Sequence, residues 1–232
     1  MHESLNDKLD QLAQKFAATG QDLAGYLDGL LQADYLTYWD YIRLETLLSL
    51  QKPKTAYPDE LIFVTYHQIT ELYFKLILHE LAQIADAEPL TSAFFATRIG
   101  RVNRYFTLLE QSFGVLITGM DRDQFLKFRM ALLPTSGFQS VQFREIEIVS
   151  TDFANLLVSE QPPAETAPIA DLYESMYWKR GATDLITQQQ QMALVQFDRH
   201  YGPQLIRLAE TYQSKNLYQR FAQLQQADLV TA

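Results

Sequence analysis

Cysteine is absent from all 232 residues. That gap excludes disulfides, thiolate nucleophiles, zinc ribbons and iron–sulfur ligation. Positive charge is scarce as well, with 19 Lys and Arg against 28 Asp and Glu and a formal net charge of −9. An acidic chain of this kind argues against a general nucleic-acid binder and against a protein of anionic membrane surfaces. Long uncharged apolar runs are missing too: the longest candidate contains His67, Glu71 and Lys75, so a transmembrane helix is not expected. The opening residues, MHESLNDKLDQLAQKF, are charged and amphipathic and have no apolar signal core. A soluble, cytoplasmic protein is the expectation.

Glycine and proline are also few, nine and eight in the whole chain, and they fall between long unbroken segments. That pattern indicates an all-α protein. Apolar residues at Leu5, Leu9, Leu12 and Phe16 predict a first helix over residues 4–18. Gly25 and Gly29 weaken a second, and LTYWDYIRLETLLSLQKP predicts a third, closed by Pro53. Residues 60–87 lack both glycine and proline, which predicts a helix of about seven turns with Asp59 as N-cap and Pro89 as stop. Further helices are expected through SAFFATRIGRVNRYFTLLEQSFGVLITG, through DRDQFLKFRMALLP behind Asp121, and as a short piece in ADLYESMYWKRGA. A last long helix should begin near Thr183, with Gly202 and Pro203 kinking or breaking it just after His200. TSGFQSVQFREIEIVSTDF fits both strand alternation and a helical face.

Few residues are equipped for chemistry. The histidines are His2, His67, His79 and His200. His67 and Glu71 stand at i,i+4, a spacing that offers two metal ligands, but no second pair completes a non-haem site. On spacing alone, His67 is an interior histidine bonded to Glu71 or a neighbouring helix, and His200 a kink residue near Pro203. Arg129 would pair with one of the abundant carboxylates, sharing a helix face with Phe125.

Four segments in order alter that reading: LTYWDYIRLETLLSLQ, DELIFVTYHQITELYFKLILHEL, FLKFRMALLPTSGFQSVQFREIE and FDRHYGPQLIRL. Together they resemble the tryptophan 2,3-dioxygenase family, most specifically through HQITELYFK and SGFQSVQFR, over roughly residues 35–212. The resemblance implies an all-helical fold with haem between helices, a homotetramer, and residues 1–34 as an N-terminal segment before a domain at 35–232. It tips 138–149 toward helix. It implies insertion of O2 across the indole 2,3-bond of tryptophan or a related indole, with haem b as cofactor and an N-formylkynurenine-type product.

Carried onto this chain, His200 resembles the axial ligand of the haem iron and His67 the distal histidine facing substrate. Phe63 and Phe125 match pocket positions, and Arg129 the arginine that grips the substrate carboxylate. Phe113 sits where a bulky aromatic approaches the haem, Ser136 and Gly137 match a segment lining the haem edge, and Tyr38, Tyr41 and Ile42 resemble residues reaching into a neighbouring subunit's site. Two features depart from the pattern. Phe125 replaces a usual tyrosine, and the residues after His200 lack the family's Gly/Ser-rich loop with its threonine. Those departures leave a haem-dependent mono-oxygenase or peroxygenase of another aromatic metabolite, or a non-catalytic haem-binding relative, as the alternatives.

Overall fold

A computed structural model describes residues 4–33, 36–132, 139–158, 167–180, 182 and 191–231. Two compact units divide the chain, Met1–Gln51 and Lys52–Ala232. No strand occurs among the described residues; an isolated antiparallel bridge joins Leu157 to Met176.

The first unit holds α1 (Leu5–Ala18), α2 (Leu23–Leu31), α3 (Tyr38–Tyr41) and α4 (Leu44–Leu48). Ser4 and Asp7 close a capping box at the start of α1, and Asp22 caps α2. None of the four helices fully buries a side chain. The single helix expected through LTYWDYIRLETLLSL is two short ones. Arg43, between them, adopts φ +53°, a left-handed conformation that ends a right-handed helix.

The second unit is built on α5 (Asp59–Asp86), a 28-residue helix. Asp59 does not cap it as expected: Pro58 is the N-cap, and the Asp59 carboxylate accepts a 2.5 Å bond from the Asp121 backbone N–H instead. That contact ties α5 to α8 (Arg122–Phe128), which Asp121 caps as predicted. Between them run α6 (Ser92–Ser112) and α7 (Gly114–Ile117), a break at Phe113–Gly114 in what the sequence pattern presents as one helix.

The ambiguous segment is helical, α9 (Val141–Ser150), and its pattern has a physical cause. Ile146 and Val149 pack against Ile77, Leu81 and Val102, while Ile148 enters a second core with Tyr173, Met176, Trp178, Leu194, Phe197 and Leu205. A helix buried on both sides carries apolar residues two apart, which imitates a strand.

The second core lies beneath α12 (Met192–Tyr212), reached through two single-turn pieces, α10 (Ile169–Leu172) and α11 (Tyr177–Arg180), and followed by α13 (Leu217–Thr231). Pro203 lies inside α12, and the helix runs on through it rather than breaking. The expected start near Thr183 falls outside the described residues. Lys179, almost wholly buried, pairs with Asp198 of α12 at 2.9 Å and with Glu174 at 3.2 Å, and lies 3.8 Å from the Tyr173 ring centroid. Burial, and then the Asp198 carboxylate that accepts its O–H, push the Tyr173 phenol far up.

Helices α5, α9 and α12 run in one direction. Near the start of α9, Gln142 bonds Glu71 and Gln204 bonds Glu145. Past its end, Asp152 accepts from Asn216 and Gln219, and Lys215 pairs with Asp86. Partners advance together along all three helices, so the bundle is parallel.

Candidate functional site

One side of α5 gathers the aromatic and basic residues singled out above. Phe63 and His67, one turn apart, meet with their rings tilted and centroids 4.1 Å apart. Phe128, fully buried, meets Phe63 at 5.6 Å and Phe125 at 5.5 Å, and Phe125 meets Phe63 at 6.0 Å. This cluster fixes α8 on α5. Immediately after α8, the single-turn 3-10 helix Arg129–Leu132 sets the Arg129 guanidinium 5.7 Å from the Phe125 ring centroid. Arg129 is exposed and has no carboxylate partner among the described residues. The structure thus brings Phe63, His67, Phe125 and Arg129 into one constellation.

His67 is neither buried nor bonded to Glu71. Its Nδ1 lies 2.7 Å from the Phe63 carbonyl oxygen of its own helix, and the residue is exposed. A carbonyl only accepts, so Nδ1 carries a proton, and in the neutral form of the ring the lone pair then lies on Nε2, away from the helix. Glu71 is instead held by Gln142, whose Nε2 donates at 2.8 Å to both the Glu71 carboxylate and its backbone carbonyl. No His/Cys/Asp/Glu trio gathers around the His67/Glu71 pair among the described residues.

His200 is exposed on α12 and contacts the Tyr201 ring at 4.4 Å. It has no hydrogen-bond partner among the described residues. Its position relative to His67 follows from the parallel bundle. His67 lies four residues before Glu71 and His200 four before Gln204, so each imidazole sits one turn, about 6 Å, toward the N-terminal end on nearly the same helix face. At that level α9 is only beginning, since Ser140 is its N-cap. The two histidines therefore stand on α5 and α12 at the level where α9 begins.

Phe113 is half-exposed and joins the cluster indirectly, 6.3 Å from Tyr66, whose own ring is edge-on to His67 at 6.4 Å. Ser136 and Gly137 lie outside the described residues. Tyr38 and Tyr41 are exposed side chains of the first unit, and Ile42 is partly covered. An open apolar groove of about 420 Å³, lined by Ile69, Tyr73, Ser112 and Val115 among others, lies on a different side of α5. Ile69 and Tyr73 are rotated roughly 120–160° from His67.

Gln142, Glu145 and Gln204 escaped detection in the sequence. Burial and then the neighbouring Glu71 carboxylate push the Glu145 carboxyl up, against the pull of the Gln204 bond. The available signal was the helical register of SGFQSVQFREIE, which sets Gln142 and Glu145 three apart on one face.

The donor chemistry at this end of the bundle fits haem. An imidazole with no hydrogen-bond partner among the described residues suits an axial ligand, a second imidazole stands level with it on another helix, and a phenylalanine wall suits a flat apolar macrocycle.

Comparison with known proteins bears on the same residues. The sequence model of a family described as tryptophan 2,3-dioxygenase matches residues 29–158. The proteins named tryptophan 2,3-dioxygenase from Nocardioides sp. and Ruegeria sp. are 44% identical over 126 residues and 42% over 119, covering 51% and 50% of this chain and 47% and 42% of theirs. The one from Exiguobacterium sibiricum is 36% identical over 152 residues, 63% of this chain and 53% of its own. The chain spans about half the length of the curated relatives it matches. The matched segment contains Phe63, His67, Phe113, Phe125 and Arg129, and it ends before His200. With more than half of its residues matched, the chain belongs to the tryptophan 2,3-dioxygenase family.

Proposed function

We propose that this protein is a haem-dependent dioxygenase that inserts both atoms of O2 across the indole 2,3-bond of tryptophan or a related indole. The C2–C3 bond breaks, each carbon becomes a carbonyl, and an N-formylkynurenine-type product forms with no other oxidant or reductant. His200 would hold the iron of haem b, with Phe113, Ser136 and Gly137 beside the macrocycle. When bound, the iron supplies the route by which O2 reacts with a closed-shell indole.

The chain's own residues bind and orient. Arg129, exposed and without a carboxylate partner among the described residues, pairs with the substrate carboxylate through its planar fork. Phe63 and Phe125 cover the indole face and exclude water. The Nε2 lone pair of His67 accepts a hydrogen bond from the indole N–H, holding the ring in one orientation. The observation that carries this reading is the 2.7 Å contact of His67 Nδ1 with the Phe63 carbonyl, which leaves Nε2 of the neutral ring to accept the indole N–H. His200 lies beyond the family match; its support is the parallel bundle, which sets it level with His67 across the start of α9. Tyr38, Tyr41 and Ile42 are assigned to the site of a neighbouring subunit, in a cytoplasmic homotetramer.

Phe125 favours a second reading. Its ring carries no hydroxyl to meet a polar substrate group, which suits oxygenation of a different, less polar aromatic metabolite. The test is to load the protein with hemin, reduce it without air, add tryptophan and then O2, and identify products by mass spectrometry. Formylkynurenine from wild type and none from His200→Ala is the expected result. Product from a panel of other indoles but none from tryptophan supports the second reading, and no hemin uptake overturns both.

A further inference from the structure

The row Glu71, Gln142, Glu145, Gln204 crosses all three parallel helices one turn below the two histidines. Gln142 uses both hydrogens of its amide on α5, at 2.8 Å to the Glu71 carboxylate and 2.8 Å to the Glu71 carbonyl. Gln204 donates to the Glu145 carboxylate at 2.5 Å, joining α12 to α9. The two carboxylates lie close enough for Glu71 to disfavour ionisation of Glu145. Left to themselves, like charges there would push the helices apart. The Gln142 and Gln204 carboxamides each donate to one of these carboxylates from a neighbouring helix.

We propose that Gln142 and Gln204 are positioning residues that set the span between His67 and His200. The Gln142 amide ties Glu71 of α5 to α9 and the Gln204 amide ties α12 to Glu145 of α9, and together they hold α5 and α12 at the separation that the two imidazoles need. The assignment rests on the haem reading above, since it is the haem and its substrate that occupy that span. Neither glutamine touches the reacting atoms; each acts through the helix that carries a histidine, one turn away.

The absence of cysteine permits a direct measurement. Lys75 on α5 and Arg207 on α12 are both exposed, and both are replaced by cysteine, spin-labelled, and their separation read by pulsed electron resonance in the full chain without haem. Gln142→Leu and Gln204→Leu are expected to lengthen the mean separation by about 2 Å or to broaden its distribution comparably. Gln204→Glu, which keeps the side chain's size and sets a third carboxylate against the pair, is expected to do so at least as strongly. Glu145→Gln, which keeps an acceptor for Gln204, is expected to leave the separation as in the wild type.

In loaded protein, the Leu variants should weaken hemin binding on the order of tenfold. Gln204→Leu should also shift the iron–histidine stretching band of the ferrous form. Unchanged distances in both Leu variants and in their double mutant overturn the inference. Wild-type protein that takes up no hemin overturns the haem reading and the positioning role with it, while the label distances still decide whether the carboxamides brace the helices.

Discussion

Two carboxylates of the second unit are perturbed in opposite directions. Glu60 is fully buried at the start of α5, where burial alone would push it up, yet the Thr55 hydroxyl and the backbone N–H groups of Lys54 and Thr55 at 2.6 and 2.7 Å hold it below the ordinary carboxylate range. A depressed folded pKa stabilises above the unfolded value, and the contribution is lost as pH falls through the folded one. Glu60→Gln should therefore cost about 1–3 kcal/mol at neutral pH, with the deficit closing on acidification, as urea midpoints at several pH values will show. Glu145 behaves inversely. Its folded pKa is raised, so it weighs against stability as pH rises through that value. Glu145→Gln should raise the urea midpoint at about pH 8 and leave it unchanged well below the ordinary carboxylate range. At Phe125 the expected change is functional: Phe125→Tyr restores a hydroxyl beside Arg129, and KM for tryptophan should fall by roughly fivefold, measured by steady-state product formation.

Among the elements, the C-terminal end of α5 shows how much one side chain can hold. Arg220 of α13 is buried, and its guanidinium donates to the carbonyls of Ile84 and Ala87 while pairing with Glu88 at 3.4 Å. Those carbonyls belong to the last turn, which has no partners within the helix. Arg220→Leu should cost about 2–3 kcal/mol, seen as a lower denaturation midpoint and faster amide exchange over residues 84–88. Nothing near Arg220 in the sequence advertises this, because the groups it meets at the end of α5 lie more than 130 residues away. The elements themselves were largely legible. A long run without glycine or proline revealed α5, and Asp121 announced α8. What escaped were interruptions with a tertiary or local cause: the left-handed turn at Arg43, the break at Gly114, and the passage of α12 through Pro203.

Across the whole molecule, the site was legible as a set of residues but not as a geometry. LIFVTYHQ and FLKFRM supply Phe63, His67, Phe125 and Arg129, and helical spacing explains each adjacent pair. Spacing did not foretell that His67 would be exposed and bonded to its own helix, because only the packing of α8 on α5 decides which face is covered. The level of His200 relative to His67 likewise depends on three helices running in parallel, a relation between distant segments that no local pattern encodes. The parallel bundle is also fastened unevenly. At its far end Lys215 grips Asp86 at 2.6 Å, Asn216 grips Asp152 at 2.9 Å, and Arg220 reaches Ile84. Such a body works like a pair of tongs, pivoted where α5 ends and braced nearer the tips by the Gln142 and Gln204 amides. Thermal breathing then has its greatest amplitude at the tips, so a bulky guest can enter and leave while the pivot stays shut. Hydrogen exchange along α5 should slow steadily from residues 63–70 toward 80–86, and a guest that bridges the tips should flatten that gradient.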